Sequence, residues 1–104
     1  MGRFEWGSEP NTFADATVTD NQVIHAAVAA NKIWIRSIAI QCAAANTAGI
    51  EDEDGTLLFP EMQTAFIVGL NIPVTENKGI QVVKSGGGVS ALFVEYYIEP
   101  ADHI

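Results

Sequence analysis

The chain has 104 residues, enough for one domain with a single small core. Charged residues make up 17% of the chain and hydrophobic residues 48%. This composition is more apolar than that of a typical small monomer, so we expect part of the surface to contact another subunit or a larger assembly. Thirteen acidic against five basic residues give a net charge of −8, which argues against nucleic acids and anionic membranes as partners because like charges repel.

The first eleven residues are predicted to form an extended N-terminal arm, and residues 12–104 a single folded domain. Glycine, serine and proline interrupt the arm and disfavour a regular element there. Large aromatic side chains in such polar surroundings usually have a partner, so the candidate contact residues are Phe4, Trp6 and the nearby Phe13. An arm that is merely disordered is the alternative.

The segment from Ile24 to Ala45, IHAAVAANKIWIRSIAIQCAAA, could form a membrane span, an alanine-rich helix or two strands. Lys32 and Arg36 divide it into uncharged stretches shorter than the ~18 residues of a spanning helix. Isoleucine and tryptophan are dense from residue 33 to residue 42, and such residues favour a strand over a helix. We therefore predict a β-hairpin with Asn31-Lys32 at its tip.

The first strand of this hairpin, QVIHAAVAA, follows a weaker predicted strand, TFADATVTD. Its small alanine side chains would leave a flat surface that another sheet or subunit can approach closely. His25 and Ala27 are therefore candidate residues of an oligomer interface.

Further strands are predicted downstream, separated by turn residues. Asp54-Gly55 suits a tight hairpin turn after Ile50. AFIVGLNIPV (65–74) is a strand with Pro73 at its edge or end, because proline donates no ladder hydrogen bond. A turn at residues 76–79 leads into IQVVKS (80–85), and a glycine turn then leads into VSALFVEYYIE (89–99), which indicates a second hairpin.

This gives seven or eight short strands, turn signals every 8–12 residues and no helix. The pattern predicts an all-β fold, an antiparallel β-sandwich with jelly-roll-like connections.

No arrangement of residues predicts catalysis or a bound cofactor, and we expect a protein that is not an enzyme. The acidic residues at 51–54 are spaced almost as in an EF-hand loop, but Ile50 stands where the first oxygen ligand belongs. We interpret this run as a solvated turn, with loose calcium binding as the alternative. Cys42, His25 and His103 lack the close pair spacing of zinc sites.

Tyr96 and Tyr97 are consecutive in the last predicted strand, so their side chains point to opposite faces of the sheet. At most one of them belongs to the core, which leaves the other for an outer surface. We take Tyr96 as a third candidate interface residue beside His25 and Ala27. Stacking of sugar rings on Trp34 and a tyrosine is the alternative use of these aromatic residues.

One group of known proteins shows a similar succession of segments. IHAAVAANKIWIRSIAI, an acidic turn with EDGTLLF, LNIPVTENKGIQVV, a glycine turn and VSALFVEYYIE together resemble small jelly-roll proteins of tailed bacteriophages. Those proteins often have a valine-rich strand, a basic turn before an aromatic strand, a "plpv.enkGl" stretch and a closing strand that ends in Tyr-Tyr. The resemblance covers approximately residues 20–99.

The resemblance implies a non-enzymatic structural protein of the virion. Some such proteins are capsid decoration or cement proteins, which bind the major capsid protein on the outer surface of the shell as homo-oligomers, often trimers. Phe4, Trp6 and Phe13 would then grip the shell, and no cofactor, nucleic acid or membrane is expected. The alternatives are a tail or fibre component, or a glycan-binding sandwich module that recognises a host surface.

Overall fold

Nine β-strands in two antiparallel sheets make up the fold in the computed structural model, which describes residues 11–27 and 31–100. These residues include no helix, and so none long and apolar enough to cross a membrane. The strands are β1 (Asn11–Val18), β2 (Gln22–His25), β3 (Asn31–Cys42), β4 (Thr47–Asp52), β5 (Leu57–Met62), β6 (Thr64–Ile67), β7 (Ile72–Pro73), β8 (Ile80–Ser85) and β9 (Ser90–Pro100).

The order of the strands is that of a jelly roll. Sheet 1 has the order β1-β9-β3-β6, and the short β7 also pairs with β3. Sheet 2 has the order β2-β8-β4-β5. When β6 and β7 are counted as one interrupted strand, each sheet has four strands and most connections cross between the sheets, as in the double Greek key of jelly rolls. The predicted fold class is therefore confirmed.

The core lies between the two sheets and is built by alternation of side chains along the strands. In β3, Ile33 and Ile35 point inward, and a bulge between Ile35 and Ser37 shifts the alternation so that Ile38 and Ile40 also point inward. Each isoleucine is at most 3% exposed, and its burial stabilises the fold by roughly 1.5–3 kcal/mol. Cys42 is buried at the end of the same strand, as expected of a small apolar residue.

The hairpin predicted around Asn31-Lys32 is wrong. β2 belongs to sheet 2 and pairs with β8, whereas β3 belongs to sheet 1 and pairs with β9, β6 and β7. Asn31 and Lys32 are the first residues of β3 and pair with β9. The chain therefore changes sheets between residues 25 and 31, because β9 on one edge of β3 and β6 with β7 on the other leave no edge for β2.

The hairpin predicted around the three glycines is also wrong. β8 and β9 lie in different sheets, and the glycines carry the chain from one sheet to the other. Asn46, which is 6% exposed, holds this crossing: its Oδ1 accepts the N–H of Gly88 at 2.7 Å, and its Nδ2 donates to the carbonyl of Ala44 at 2.9 Å. A Cβ at residue 86 or 88 would overlap the Asn46 side chain and displace it from these hydrogen bonds, and the φ of +95° at residue 86 also favours glycine there.

The other predicted turns are confirmed. β4 and β5 form the hairpin around Asp54-Gly55, where Gly55 has a φ of +88°. The predicted strand 65–74 is divided into β6 and β7, and Pro73 lies in the short β7, which pairs with β3 alone. A turn at residues 76–77 leads into β8.

Candidate functional site

The outer face of sheet 1 carries the residues best placed to bind a partner. The bulge in β3 divides this face into two halves of different chemistry. We call the half before the bulge the basic–aromatic row, with Lys32, Trp34, Arg36 and Tyr97. We call the half after it the alanine–phenylalanine face, with Ala14, Phe93, Ala39 and Phe66 in one row across all four strands.

Cations and aromatic rings alternate in the basic–aromatic row. Trp34 and Tyr97 are directly opposite each other on β3 and β9. The Lys32 ammonium lies 4.8 Å from the Trp34 ring centroid, and the Arg36 guanidinium lies 5.4 Å from that of Tyr97. Such cation–π contacts contribute roughly 0.5–1 kcal/mol at exposed sites.

Hydrogen bonds fix this row to its neighbours. Trp34 Nε1 donates to Glu99 Oε1 at 2.9 Å, and Arg36 Nε donates to the Leu70 carbonyl at 2.9 Å. Ser37 Oγ donates to Glu95 Oε1 at 3.0 Å. The row is therefore an ordered polar and aromatic surface, in which Glu95 and Glu99 already accept hydrogen bonds from within the chain.

The alanine–phenylalanine face is apolar and concave. Phe66 on the edge strand β6 is 79% exposed, and Phe93 in the middle of the sheet is 37% exposed. Between them the alanine side chains leave a trough of about 520 Å³, which Ala14, Ala16, Ala39 and Ala91 help to line. Ile67 and Val68, which follow Phe66, are 36% and 66% exposed and extend the apolar surface around the edge.

Among the described residues that line this trough, one is ionisable. Asp15 Oδ1 accepts the N–H of Thr17 at 2.8 Å, and Asp15 Oδ2 accepts from Gln22 Nε2 at 3.1 Å. The backbone hydrogen bond from Thr17 is the largest cause that lowers the pKa of Asp15. The carboxylate is thus directed to groups beside the trough, and the floor and walls offer mainly apolar contact.

Two of the predicted interface residues contact each other inside the sandwich. His25 Nδ1 and the Tyr96 hydroxyl are 3.0 Å apart, and their rings meet edge to face. Tyr96 is 5% exposed, and burial raises its pKa. Tyr96 cannot serve as a surface contact, because β9 turns it inward with Leu92 and Val94; Tyr97 is the tyrosine on the outer face.

The remaining predicted contact residues are dispersed. Ala27 is exposed after the end of β2. Phe13 lies in β1 and packs against the core cluster, so it is part of the sandwich rather than of an arm. Phe4 and Trp6 lie outside the described residues.

The acidic turn is held by its own hydrogen bonds. Asp52, 4% exposed, accepts the N–H groups of Asp54 and Thr56 on Oδ1, at 2.8 and 3.0 Å. Asp54 forms an ion pair of 2.8 Å with Lys78, whose pKa is raised by that hydrogen bond. Among the described residues, no group of three or more His, Cys, Asp or Glu side chains is placed to hold a metal ion.

Sequence reasoning missed the alanine–phenylalanine face. Ala39 stands between Ile38 and Ile40, and Phe93 between Leu92 and Val94, so apolar neighbours on both sides hide the alternation. The assignment of Tyr96 to the outer surface could have been avoided from the sequence. Glu95, Tyr97 and Glu99 share one side of the strand, and two glutamates mark that side as the outer one.

Comparison with known proteins adds no identification: no family model, no curated protein and no solved structure matches the chain.

Proposed function

We propose that the chain is a non-enzymatic structural protein of a bacteriophage virion, a decoration or cement protein that binds the major capsid protein on the outer surface of the shell as a homo-oligomer. The observation that carries the proposal is the jelly-roll strand order, an architecture that viral capsid and lectin domains use repeatedly. It agrees with the resemblance of residues 20–99 to small phage jelly-roll proteins.

Such a protein acts through binding alone. A partner that binds the assembled shell, but not its free subunits, stabilises the shell by mass action. The apolar surface on the outer face of sheet 1 suits contact between copies in the homo-oligomer. We assign the contact with the shell to Phe4 and Trp6, which precede β1.

Co-sedimentation with undecorated capsids tests the proposal. We expect the protein to bind saturably and to raise the temperature at which the capsid disrupts.

The double variant Phe4→Ala/Trp6→Ala should weaken binding at least tenfold, because buried aromatic anchors dominate interface energies. Leu57→Ala, which truncates a 54% exposed side chain on sheet 2, is the matched control and should bind normally. Failure to sediment with any capsid would exclude the cement function, and normal binding of the double variant would exclude these residues as the grip.

A glycan-binding module is the second candidate, favoured by the basic–aromatic row. Trp34 and Tyr97 lie side by side next to Glu95 and Glu99, and aromatic rings beside carboxylates suit the apolar faces and hydroxyl groups of sugars. A cation lies over each ring, so a sugar would have to use the other ring face or displace it. A glycan array separates the candidates: saturable binding that is lost in Trp34→Ala, without capsid binding, would support the module.

A further inference from the structure

The alanine–phenylalanine face combines a protruding side chain and a depression on one surface. Phe66 projects from the edge strand with 79% of its surface exposed. The adjacent trough of about 520 Å³ has alanine methyl groups on its floor and leaves room for an aromatic ring. No part of the described chain covers Phe66 or fills the trough.

We infer that a second copy of this chain binds this face about a twofold axis, with Phe66 of each copy in the trough of the other. A surface that carries both the projection and the depression is self-complementary, which is the condition for an isologous contact. A ring of three copies would instead need the two features on different sides of the molecule. This inference goes beyond the proposed function and holds whether or not the protein binds a capsid.

The near absence of charge in the trough favours a second copy at this face. The chain carries a net charge of −8, so two copies repel each other in most orientations. Among the described residues that line the trough, Asp15 alone is ionisable, and its carboxylate accepts hydrogen bonds from Thr17 and Gln22. Contact through the trough therefore brings few like charges together, and the Asp15 carboxylate keeps the hydrogen bonds that it accepts.

The size of the face predicts a weak dimer. Sheet 1 is four strands wide, with neighbours ~4.8 Å apart, and the twelve residues of β3 rise ~3.3 Å each. The apolar half thus offers about 400 Å² per copy, against about 800 Å² per partner in a standard stable interface. We expect a dimer that forms in the micromolar to millimolar range of protein concentration.

Sedimentation velocity of the full chain over that concentration range tests the inference, without capsids. We expect a monomer–dimer equilibrium. Phe66→Ser should raise the dissociation constant on the order of a hundredfold, because each dimer contains two copies of the change. Ala16→Glu, at an exposed position that lines the trough, should also abolish the dimer by adding charge to both copies.

Matched controls separate this face from a general effect of polarity or charge. Leu57→Ser makes the same kind of change on the exposed edge of sheet 2, and Ala44→Glu adds the same charge on an exposed loop. Both should dimerise like the parent chain, and circular dichroism should show that all four variants fold. A monomer at every concentration, a trimer, or a dimer unaffected by both face variants would overturn the inference.

Discussion

At the scale of single residues, the contact between His25 and Tyr96 joins the two sheets. His25 closes β2 in sheet 2, and Tyr96 lies in β9 of sheet 1, so their hydrogen bond of 3.0 Å crosses the sandwich. The sequence places both residues in strands but cannot show that they meet, because 71 positions separate them. Tyr96, which was predicted to lie at a surface interface, thus contributes a hydrogen bond between the two sheets.

Replacement of Tyr96 by phenylalanine should change stability in a pH-dependent manner. At pH 7 the variant loses one hydrogen bond and should be less stable by about 1 kcal/mol. Burial raises the pKa of Tyr96 above its usual 10.0 in the folded state. Above pH 10 the unfolded chain therefore loses the tyrosine proton first, and stability falls until the pH passes the folded-state pKa. The phenylalanine ring of the variant has no proton to lose, so the deficit of the variant should shrink in alkaline solution.

Urea unfolding at pH 7 and at about pH 10.5, two values that bracket the usual tyrosine pKa, measures this difference. Ile50→Val, at a core position that carries no titratable group, provides the control, and its loss of stability should be the same at both pH values. A deficit in Tyr96→Phe that stays constant or grows in alkaline solution would contradict the assigned cause.

At the scale of elements, strands could be predicted more reliably than their partners. The isoleucine pattern of β3 and the alternation in β9 identify these strands, because burial of every second side chain produces an alternation of apolar and polar residues in the sequence. Pairing is set by tertiary packing: a glycine turn at 86–88 has the same composition whether it closes a hairpin or crosses between sheets. Only the β4–β5 turn was a hairpin in both the prediction and the structure.

Variants of the β4–β5 turn test which acidic residue stabilises the fold. Asp52 is buried and accepts two backbone N–H groups, so Asp52→Ala leaves donors unpaired and should cost roughly 1–3 kcal/mol. Asp54→Ala removes only an exposed ion pair with Lys78, which water screens, and should cost clearly less than Asp52→Ala. Urea unfolding of both variants, with and without calcium, is the measurement. Equal losses would contradict this reading of the turn, and stabilisation by calcium that needs Asp52 and Asp54 would revive the calcium alternative.

At the scale of the whole molecule, one core serves both sheets while the outer face of sheet 1 stays available for partners. Sheet 1 contributes Ile35, Ile38 and Val94, and sheet 2 contributes Ile50 and Val82. Composition already indicated excess apolar surface, but its position could not be predicted, since a run of apolar residues does not reveal which of them face outward. The position follows from the bulge in β3 and from the register of β9 against it.

A shared core should make the two sheets unfold together. Ile35→Val in sheet 1 and Ile80→Val in sheet 2 each remove one buried methylene at a site that is at most 1% exposed, and each should lower the free energy of unfolding by about 0.5–1.5 kcal/mol. Val23→Ala, at a 58% exposed position of β2, should stay within about 0.5 kcal/mol of the parent chain. Unfolding should be followed at low protein concentration by two signals. Circular dichroism reports both sheets, and tryptophan fluorescence includes the signal of Trp34 in sheet 1. The two signals should give coincident transitions in every variant. The contrary result would be that Ile80→Val shifts the circular dichroism transition while the fluorescence transition stays in place. The two sheets would then be separate folding units, and the contact of His25 with Tyr96 would not join them.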